Sequence, residues 1–215
     1  MTGPGPGPTA QCRLPADEPI SGNVYDKYNT RNPLARHLVD GFLRTFERLV
    51  SASGARHVHE IGCGEGYLTS RLAAKGLHAR GCDVSPRIID VARERTRALG
   101  LDIPFRVAGL DDLRADTDAA ELVVCCEVME HVKDPVRALK TLRELASPHL
   151  LVSVPREPLW RVLNLCRGKY LRDLGNTPGH LHHWSARQFV RFLERQVTVV
   201  EVATPLPWTM ALCRR

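Results

Sequence analysis

The sequence predicts an α/β fold: a doubly wound, mostly parallel seven-stranded sheet with an antiparallel edge strand and helices on both faces. Short apolar runs alternate with amphipathic helical patterns between about residues 57 and 154, in the rhythm of successive β–α units. Two final β-rich runs are joined by the turn-like residues 204–207. Such a close pair is typical of an antiparallel hairpin at a sheet edge.

Each element follows from its own pattern of apolar residues. The predicted strands are 57–61, 78–84, 105–107, 122–126, 150–154, 197–203 and 208–213. The predicted helices are 32–50, 67–75, 86–99, 135–146, 157–171 and 185–195. Ser85 and Asp134, each followed by proline, are expected to cap the helices that begin after them.

Length and composition predict one domain with a terminal tail. A chain of 215 residues with 43% apolar content can close one substantial core and is short for two. Residues 1–20 are rich in Gly and Pro and are expected to be disordered, which leaves residues 21–215 as a single domain. The segments 21–50 and 155–184 are expected to cap its binding site.

Several protein classes are disfavoured by composition. No run approaches the roughly 20 apolar residues that span a bilayer, and the N-terminus lacks an apolar signal core, so we expect a cytoplasmic protein. The seven cysteines form no CxxC pair, which argues against a disulfide framework or a zinc knuckle. The net charge of +6 indicates attraction to anionic partners without selecting one.

A glycine-rich bend between the first strand and its helix is the most informative segment. Gly62, Gly64 and Gly66 let the backbone approach a ligand closely and direct helix N-terminal amides towards it. The dinucleotide fingerprint GxGxxG is not met, because Tyr67 stands where its third glycine would fall. At the end of the second strand, Asp83 is placed to accept hydrogen bonds from two ribose hydroxyls.

Glu60-x-Gly62-x-Gly64-x-Gly66, together with Asp83, resembles the cofactor site of class I S-adenosylmethionine-dependent methyltransferases, which are Rossmann-like. The resemblance implies that the bend accommodates the methionine portion and that Glu60 helps to position it. Gly109 stands where the family usually has an acidic residue for the adenine, so Asp111 or the Leu110 backbone is expected to substitute. The expected cofactor contacts are Glu60, Gly62, Cys63, Gly64, Gly66, Asp83, Val84, Leu110, Asp111 and Glu127.

The exit of the fourth strand is the candidate catalytic segment. Residues 121–139 resemble the corresponding part of the ubiquinone-biosynthesis O-methyltransferases and their small-molecule relatives. If the chain turns helical there, Glu127, Glu130 and His131 share one face. His131 then suits a general base, while the E-x-x-E-H pattern also resembles a divalent-metal site, with Mg²⁺ as the expected ion. A structural role for Glu130 and His131, capping a turn, is the third alternative.

A second group of histidines and the cap supply candidate substrate contacts. His180, His182 and His183 crowd around Trp184, and His183 is the preferred additional catalytic residue or metal ligand. The remaining candidates for substrate contact are Tyr25, Tyr28, Arg156 and His180. The cations among residues 156–172 form either a solvated face or a lid for an anionic or lipid-linked substrate, and peripheral membrane contact is compatible with them.

These features together predict methyl transfer from S-adenosylmethionine to a hydroxyl of a small metabolite, with an amine or carbon acceptor as the less favoured possibility. No nucleic-acid partner is expected, because the motif for methylating a base nitrogen and the RNA-binding motifs are absent. The alternatives are an NAD(P)-dependent Rossmann oxidoreductase and a non-catalytic cofactor-binding subunit. Oligomeric state is left open by the sequence.

Overall fold

The computed structural model describes residues 32–215. The predicted tail at residues 1–20 and the candidate substrate residues Tyr25 and Tyr28 lie outside the described residues. The strands, in chain order, are β1 His57–Ile61, β2 His78–Asp83, β3 Phe105–Val107, β4 Ala120–Cys126, β5 Ala146–Pro155, β6 Thr198–Ala203 and β7 Trp208–Arg214. The helices are α1 Pro33–Ser53, α2 Tyr67–Ala74, α3 Pro86–Ala98, α4 Ala115–Asp118, α5 Pro135–Leu145, α6 Leu159–Cys166 and α7 Ala186–Leu193.

The strands form one twisted sheet in the order β3-β2-β1-β4-β5-β7-β6. β1 pairs in parallel with both β2 and β4, and the parallel pairing continues outwards to β3 and β5. β7 runs antiparallel to β5 and to the outermost strand β6, so the predicted hairpin at the sheet edge is confirmed. Strand order reverses between β1 and β4, and in such sheets ligands bind at the carboxyl ends of the strands near that point.

Helices cover both faces of the sheet, as the doubly wound prediction requires. Alternate residues of β4 point to opposite faces. Leu122 and Val124 join a buried cluster with α1 and α2, whereas Val123 and Cys125 join a cluster with α5 and α7. The apolar side chains of this central strand therefore pack against helices on both faces of the sheet.

The helix α1 shows how local sequence sets an element. The Asn32 side chain accepts hydrogen bonds from the amides of Leu34 and Ala35, and Gly54 ends the helix in a left-handed conformation. The buried stripe of α1 includes Phe42, Phe46 and Leu49. No helix among residues 32–215 is long and apolar enough to cross a membrane.

The predicted helix 157–171 is the clearest departure from the sequence analysis. Only Leu159–Cys166 is α-helical, and a one-turn 3-10 helix follows at Leu171–Asp173. Gly168 and Tyr170 have φ values of 65° and 54°, and such left-handed residues end a right-handed helix. The basic residues beyond Cys166 therefore belong to a loop of the cap.

His59 in β1 makes stability depend on pH. It is buried, and its Nδ1–H donates to the Asp118 carbonyl oxygen at 2.9 Å. Burial lowers the pKa of His59 from 6.5 to about 4, against the opposing effect of the Asp118 hydrogen bond. The unfolded chain therefore takes up a proton near pH 6.5, whereas the folded chain does so only near pH 4.

We predict that the free energy of unfolding decreases by roughly 2–3 kcal/mol from this residue alone as the pH falls through that interval. His59→Asn keeps a donor and removes the titration, so urea denaturation at several pH values should show a weaker acid dependence. His37→Asn, at an exposed position, is the control. Equal acid dependence in wild type and His59→Asn would contradict the prediction.

Candidate functional site

A cleft of about 860 Å³ opens at the carboxyl ends of β1, β2 and β4. One part, the glycine-loop half, is formed by Glu60–Gly64, Asp83, Val84, Ala108 and Leu110. The other part, the cap half, includes His131, Trp160, Leu163, His180 and Trp208. The cleft therefore joins the two regions that the sequence singles out.

The glycine bend is fixed by close contact with the exit of β4. Gly62 has φ of 73°, and a Cβ at this position would lie 2.3 Å from the Val128 Cγ2 atom. Gly64 has φ of 53° but would meet nothing within 4 Å, so its side faces open space. The amides of Gly62 and Cys63 both donate to the Cys82 carbonyl oxygen, which ties the bend to β2.

Asp83 links the end of β2 to the same bend. It is buried, and its two carboxylate oxygens accept from the amides of Gly64 at 3.0 Å and Ser85 at 3.1 Å. Each oxygen of an ionised carboxylate has two acceptor sites, so one oxygen can accept from more than one donor. The carboxylate is thus held in a defined orientation beside the bend.

Most of the predicted cofactor residues line the cleft, and two do not. Glu60, Cys63, Val84, Leu110 and Glu127 join the bend and Asp83 in its lining. Gly66 instead caps α2 and packs against Phe105 and Ala92, where a Cβ would be too close. Asp111 is exposed and forms an ion pair with Arg137 at 2.9 Å. Of the two alternatives after β3, the structure places Leu110 at the cleft.

Glu127 does not share a helical face with Glu130 and His131, which corrects the sequence prediction. Glu127 has a left-handed φ of 60° directly after β4, and only Met129–His131 forms a one-turn 3-10 helix. Its carboxylate accepts from Ser153 Oγ at 3.0 Å and from the Trp208 indole N–H at 2.7 Å. Glu127 is thereby directed towards β5 and β7.

His131 is held in one tautomer. Its Nδ1 lies 2.9 Å from the Gly179 carbonyl oxygen, and because a carbonyl only accepts, Nδ1 must carry the proton. Nε2 is then the basic nitrogen, 4.0 Å from a carboxylate oxygen of Glu130. Burial lowers the pKa of His131 below 6.5, so the imidazole is neutral at neutral pH.

The loop that supplies the Gly179 carbonyl is fastened to the same 3-10 helix. The amides of Leu181 and His182 donate to the Glu130 carbonyl oxygen at 2.8 and 3.1 Å. The His182 Nε2–H donates to the Val132 carbonyl oxygen at 2.9 Å. Residues 179–181, which line the cleft, are therefore held in place.

His180, and not His183, joins His131 in the cleft. The rings of His131 and His180 meet edge to face at 4.8 Å, and burial lowers the pKa of His180 to about 4. His183 is exposed, and its Nε2 lies 2.6 Å from the Asn176 side-chain oxygen. Among residues 32–215, the side chains grouped closely enough to be potential metal ligands are Glu130, His131 and His180, whose ligand atoms lie within 4.8 Å of one another. The predicted ligands Glu127 and His183 are not in this group.

The candidate substrate residue Arg156 does not line the cleft, and two tryptophans that the sequence analysis did not select do. Trp160 and Trp208 lie 5.8 Å apart, and the Trp160 indole N–H donates to Thr177 Oγ1 at 2.9 Å. Nothing in the spacing of these tryptophans signals their convergence, since β7 reaches the cleft only through the hairpin.

Comparisons with known proteins agree with this geometry. Residues 59–149 match a family model described as a methyltransferase domain. That span runs from β1 into β5 and contains the glycine bend, Asp83 and the Glu127–His131 segment. Over this span the chain is similar to the class I S-adenosylmethionine-dependent methyltransferases. The cap after β5 lies outside the matched span.

Among similar proteins, the ubiquinone biosynthesis O-methyltransferase of Xylella fastidiosa is 33% identical to this chain over 140 residues, which are 64% of this chain and 56% of the relative. Its counterpart in Coxiella burnetii is 33% identical over 113 residues, 52% of this chain and 48% of the relative. The chain thus spans about half the length of these relatives.

Solved structures share the fold. Magnesium protoporphyrin IX methyltransferase from Synechocystis, with bound SAH, has a TM-score of 0.66 at 19% identity and covers 88% of this chain and 91% of that chain. The methyltransferase domain of a bacterial CtHen1 has a TM-score of 0.62 at 23% identity and covers 83% of this chain and 100% of that chain. The Rossmann-like prediction is therefore confirmed.

We predict that Gly62→Ala destabilises the protein by roughly 2–4 kcal/mol, because the methyl group overlaps Val128 and the left-handed φ adds strain. Val128→Ala in the same chain should recover part of the loss by removing the overlapping methyl. Gly76→Ala, which has positive φ and open space, isolates the strain alone. Urea denaturation measures all three, and a loss in Gly62→Ala no larger than in Gly76→Ala would refute the steric argument.

Proposed function

We propose that this chain transfers a methyl group from S-adenosylmethionine to a hydroxyl group of a small molecule. One observation carries the proposal: a single cleft joins the glycine bend and Asp83 to a histidine whose basic nitrogen is fixed by its tautomer. S-adenosylmethionine carries the methyl group on a sulfonium sulfur. When the methyl group is transferred, this sulfur leaves as a neutral thioether. Amine and carbon acceptors fit less well, because a neutral buried imidazole is best suited to removing a hydroxyl proton.

Each part of the glycine-loop half has a proposed binding role. Glu60 and the bend at Gly62–Gly64 hold the amino acid end of the cofactor, and Asp83 accepts from its ribose hydroxyls. Val84 and Leu110 flank the adenine. These contacts align the methyl donor with the cap half, where alignment of two bound reactants supplies much of the acceleration.

In the cap half, His131 Nε2 takes the proton of the acceptor hydroxyl as its oxygen forms the new bond to the methyl carbon. The Gly179 carbonyl keeps Nδ1 protonated, so only Nε2 presents a lone pair. His180 is a second neutral imidazole against which the acceptor can lie, and its lowered pKa avoids a competing positive charge. A carboxylate oxygen of Glu130 lies 4.0 Å from His131 Nε2.

The acceptor is proposed to be a small metabolite with an apolar body. Trp160, Leu163 and Trp208 line the cap half, and the Xylella and Coxiella relatives carry an O-methyltransferase name. Arg167 and Lys169 also line the cleft, which supports an anionic or lipid-linked acceptor. An NAD(P)-dependent reaction is less favoured, because Tyr67 replaces the third dinucleotide glycine.

Activation of the hydroxyl by a bound divalent metal ion is the alternative mechanism. Two imidazoles and one carboxylate suit zinc, iron or manganese better than Mg²⁺, which prefers oxygen ligands. Ligands of one ion at about 2.1 Å lie at most about 4.2 Å apart, so atoms separated by up to 4.8 Å must move closer to share an ion. The geometry thus fits a base more readily than a metal centre.

We predict that Asp83→Asn weakens the binding of S-adenosylhomocysteine by on the order of 1–3 kcal/mol, because a charged acceptor for the ribose hydroxyls is lost. Isothermal titration calorimetry measures the change. Asp90→Asn, at an exposed position of α3, should bind like wild type. Wild-type affinity in Asp83→Asn would remove the main support for the cofactor site.

We predict that His131→Gln lowers kcat by about 100- to 10,000-fold while leaving S-adenosylhomocysteine affinity unchanged. In wild type, kcat should rise with pH through the His131 pKa, below 6.5, and level off at neutral pH, because the base must be unprotonated. His183→Gln is the matched control and should retain activity. Methyl transfer from labelled S-adenosylmethionine, with products identified by mass, provides the rates.

Treatment with a chelator separates the two mechanisms. A base alone requires no ion, so activity should survive dialysis against EDTA. Loss of activity with recovery on adding zinc or manganese would favour the Glu130–His131–His180 group as a metal site instead.

A further inference from the structure

Thr69 is a buried threonine whose hydroxyl bonds to a side chain, whereas most other helical hydroxyls bond to a backbone carbonyl. It is 0% exposed in α2, directly after the glycine bend, and its Oγ1–H donates a hydrogen bond to the Glu60 carboxylate. Hydroxyls inside a helix often bond to the carbonyl oxygen four residues earlier. Thr45, Ser70 and Thr96 do so here, with Gly41, Gly66 and Ala92 as the respective partners.

Packing does not account for a hydroxyl at this position. The neighbours Leu68 and Leu72 belong to the apolar cluster between α1, α2 and the sheet, and a valine would have the same shape as Thr69. Burying a hydroxyl destabilises the fold unless a hydrogen bond compensates. The compensating partner is the Glu60 carboxylate, which is itself only 3% exposed.

The bond also has a defined place relative to the cleft. Glu60 lies at the end of β1 and lines the cleft, and Thr69 lies in the first turn of α2. The bend from Gly62 to Gly66 runs between the two residues, so the hydrogen bond joins both of its ends. A side chain held at its carboxylate by a rigid helix keeps one rotamer, which is the requirement for directed recognition of a cation.

We infer that Thr69 is a positioning residue that sets the Glu60 carboxylate to receive the ammonium group of the cofactor's amino acid end. The inference rests on the proposed function. It adds that the chain recognises this end of the cofactor through a Thr69–Glu60 pair, whereas Asp83 recognises the ribose. Removal of the Thr69 hydroxyl should therefore weaken the binding only of ligands that carry the ammonium group.

The test compares two ligands by isothermal titration calorimetry: S-adenosylhomocysteine, and 5'-methylthioadenosine, which has the adenosine and a thioether but no amino acid end. Thr69→Val should weaken the binding of S-adenosylhomocysteine by on the order of 10-fold. Its affinity for methylthioadenosine should stay within about twofold of wild type. Thr69→Ser, which keeps the donor, should restore the affinity. Thr96→Val removes a buried hydroxyl that bonds only its own helix and is the matched control.

A double-mutant cycle completes the test. In a Glu60→Gln background, Thr69→Val should have little further effect on S-adenosylhomocysteine, because its partner carboxylate is already lost. Equal weakening of both ligands in Thr69→Val, or Thr69→Ser binding as poorly as Thr69→Val, would overturn the inference and leave Thr69 a structural residue. Failure of the wild-type chain to bind S-adenosylhomocysteine would instead overturn the proposed function.

Discussion

Parallel pairing of β1 with both β2 and β4 is the constraint on which the cleft depends. The register places Glu60 opposite Gly81 of β2 and Val124 of β4, so the three strands end at one level. Their exits then meet directly, through the contact of Gly62 with Val128 and the hydrogen bond from Gly64 to Asp83. A one-residue slip in either pairing would turn alternate side chains to the wrong face and separate these partners.

The cap orients the side chain of His131 as well as lining the cleft. The Gly179 carbonyl selects the His131 tautomer across 48 residues of sequence, and the Glu130 carbonyl in turn holds the amides of Leu181 and His182. His131 and the loop therefore position each other through backbone groups. Substitutions of side chains in the loop can alter the lining of the cleft while the carbonyl that orients His131 is kept.

Local patterns in the sequence were sufficient to predict the sheet, the hairpin and the glycine-loop half of the cleft. Strand β1 and the Gly62–Gly64 bend are short-range features, and the end of β2 at Asp83 follows from the β–α rhythm. The choice between His180 and His183 could not be made in this way. It depends on hydrogen bonds from residues 179–182 to a 3-10 helix about 50 residues earlier, and these leave no periodic trace in the sequence.

Glu127 shows that the spacing of functional residues in the sequence can be interpreted only when the backbone conformation is known. The i, i+3, i+4 pattern of Glu127, Glu130 and His131 gathers three side chains only if the helix begins at the first of them. The left-handed φ at Glu127 turns its side chain instead to Ser153 and Trp208, which come from β5 and β7. The carboxylate thereby acquires two donors from the far side of the cleft, and the strained backbone is held by strands rather than by a helix. The carboxylates of this segment consequently lie in different parts of the cleft: Glu130 lies beside His131, whereas Glu127 is bonded to Trp208 in the cap half.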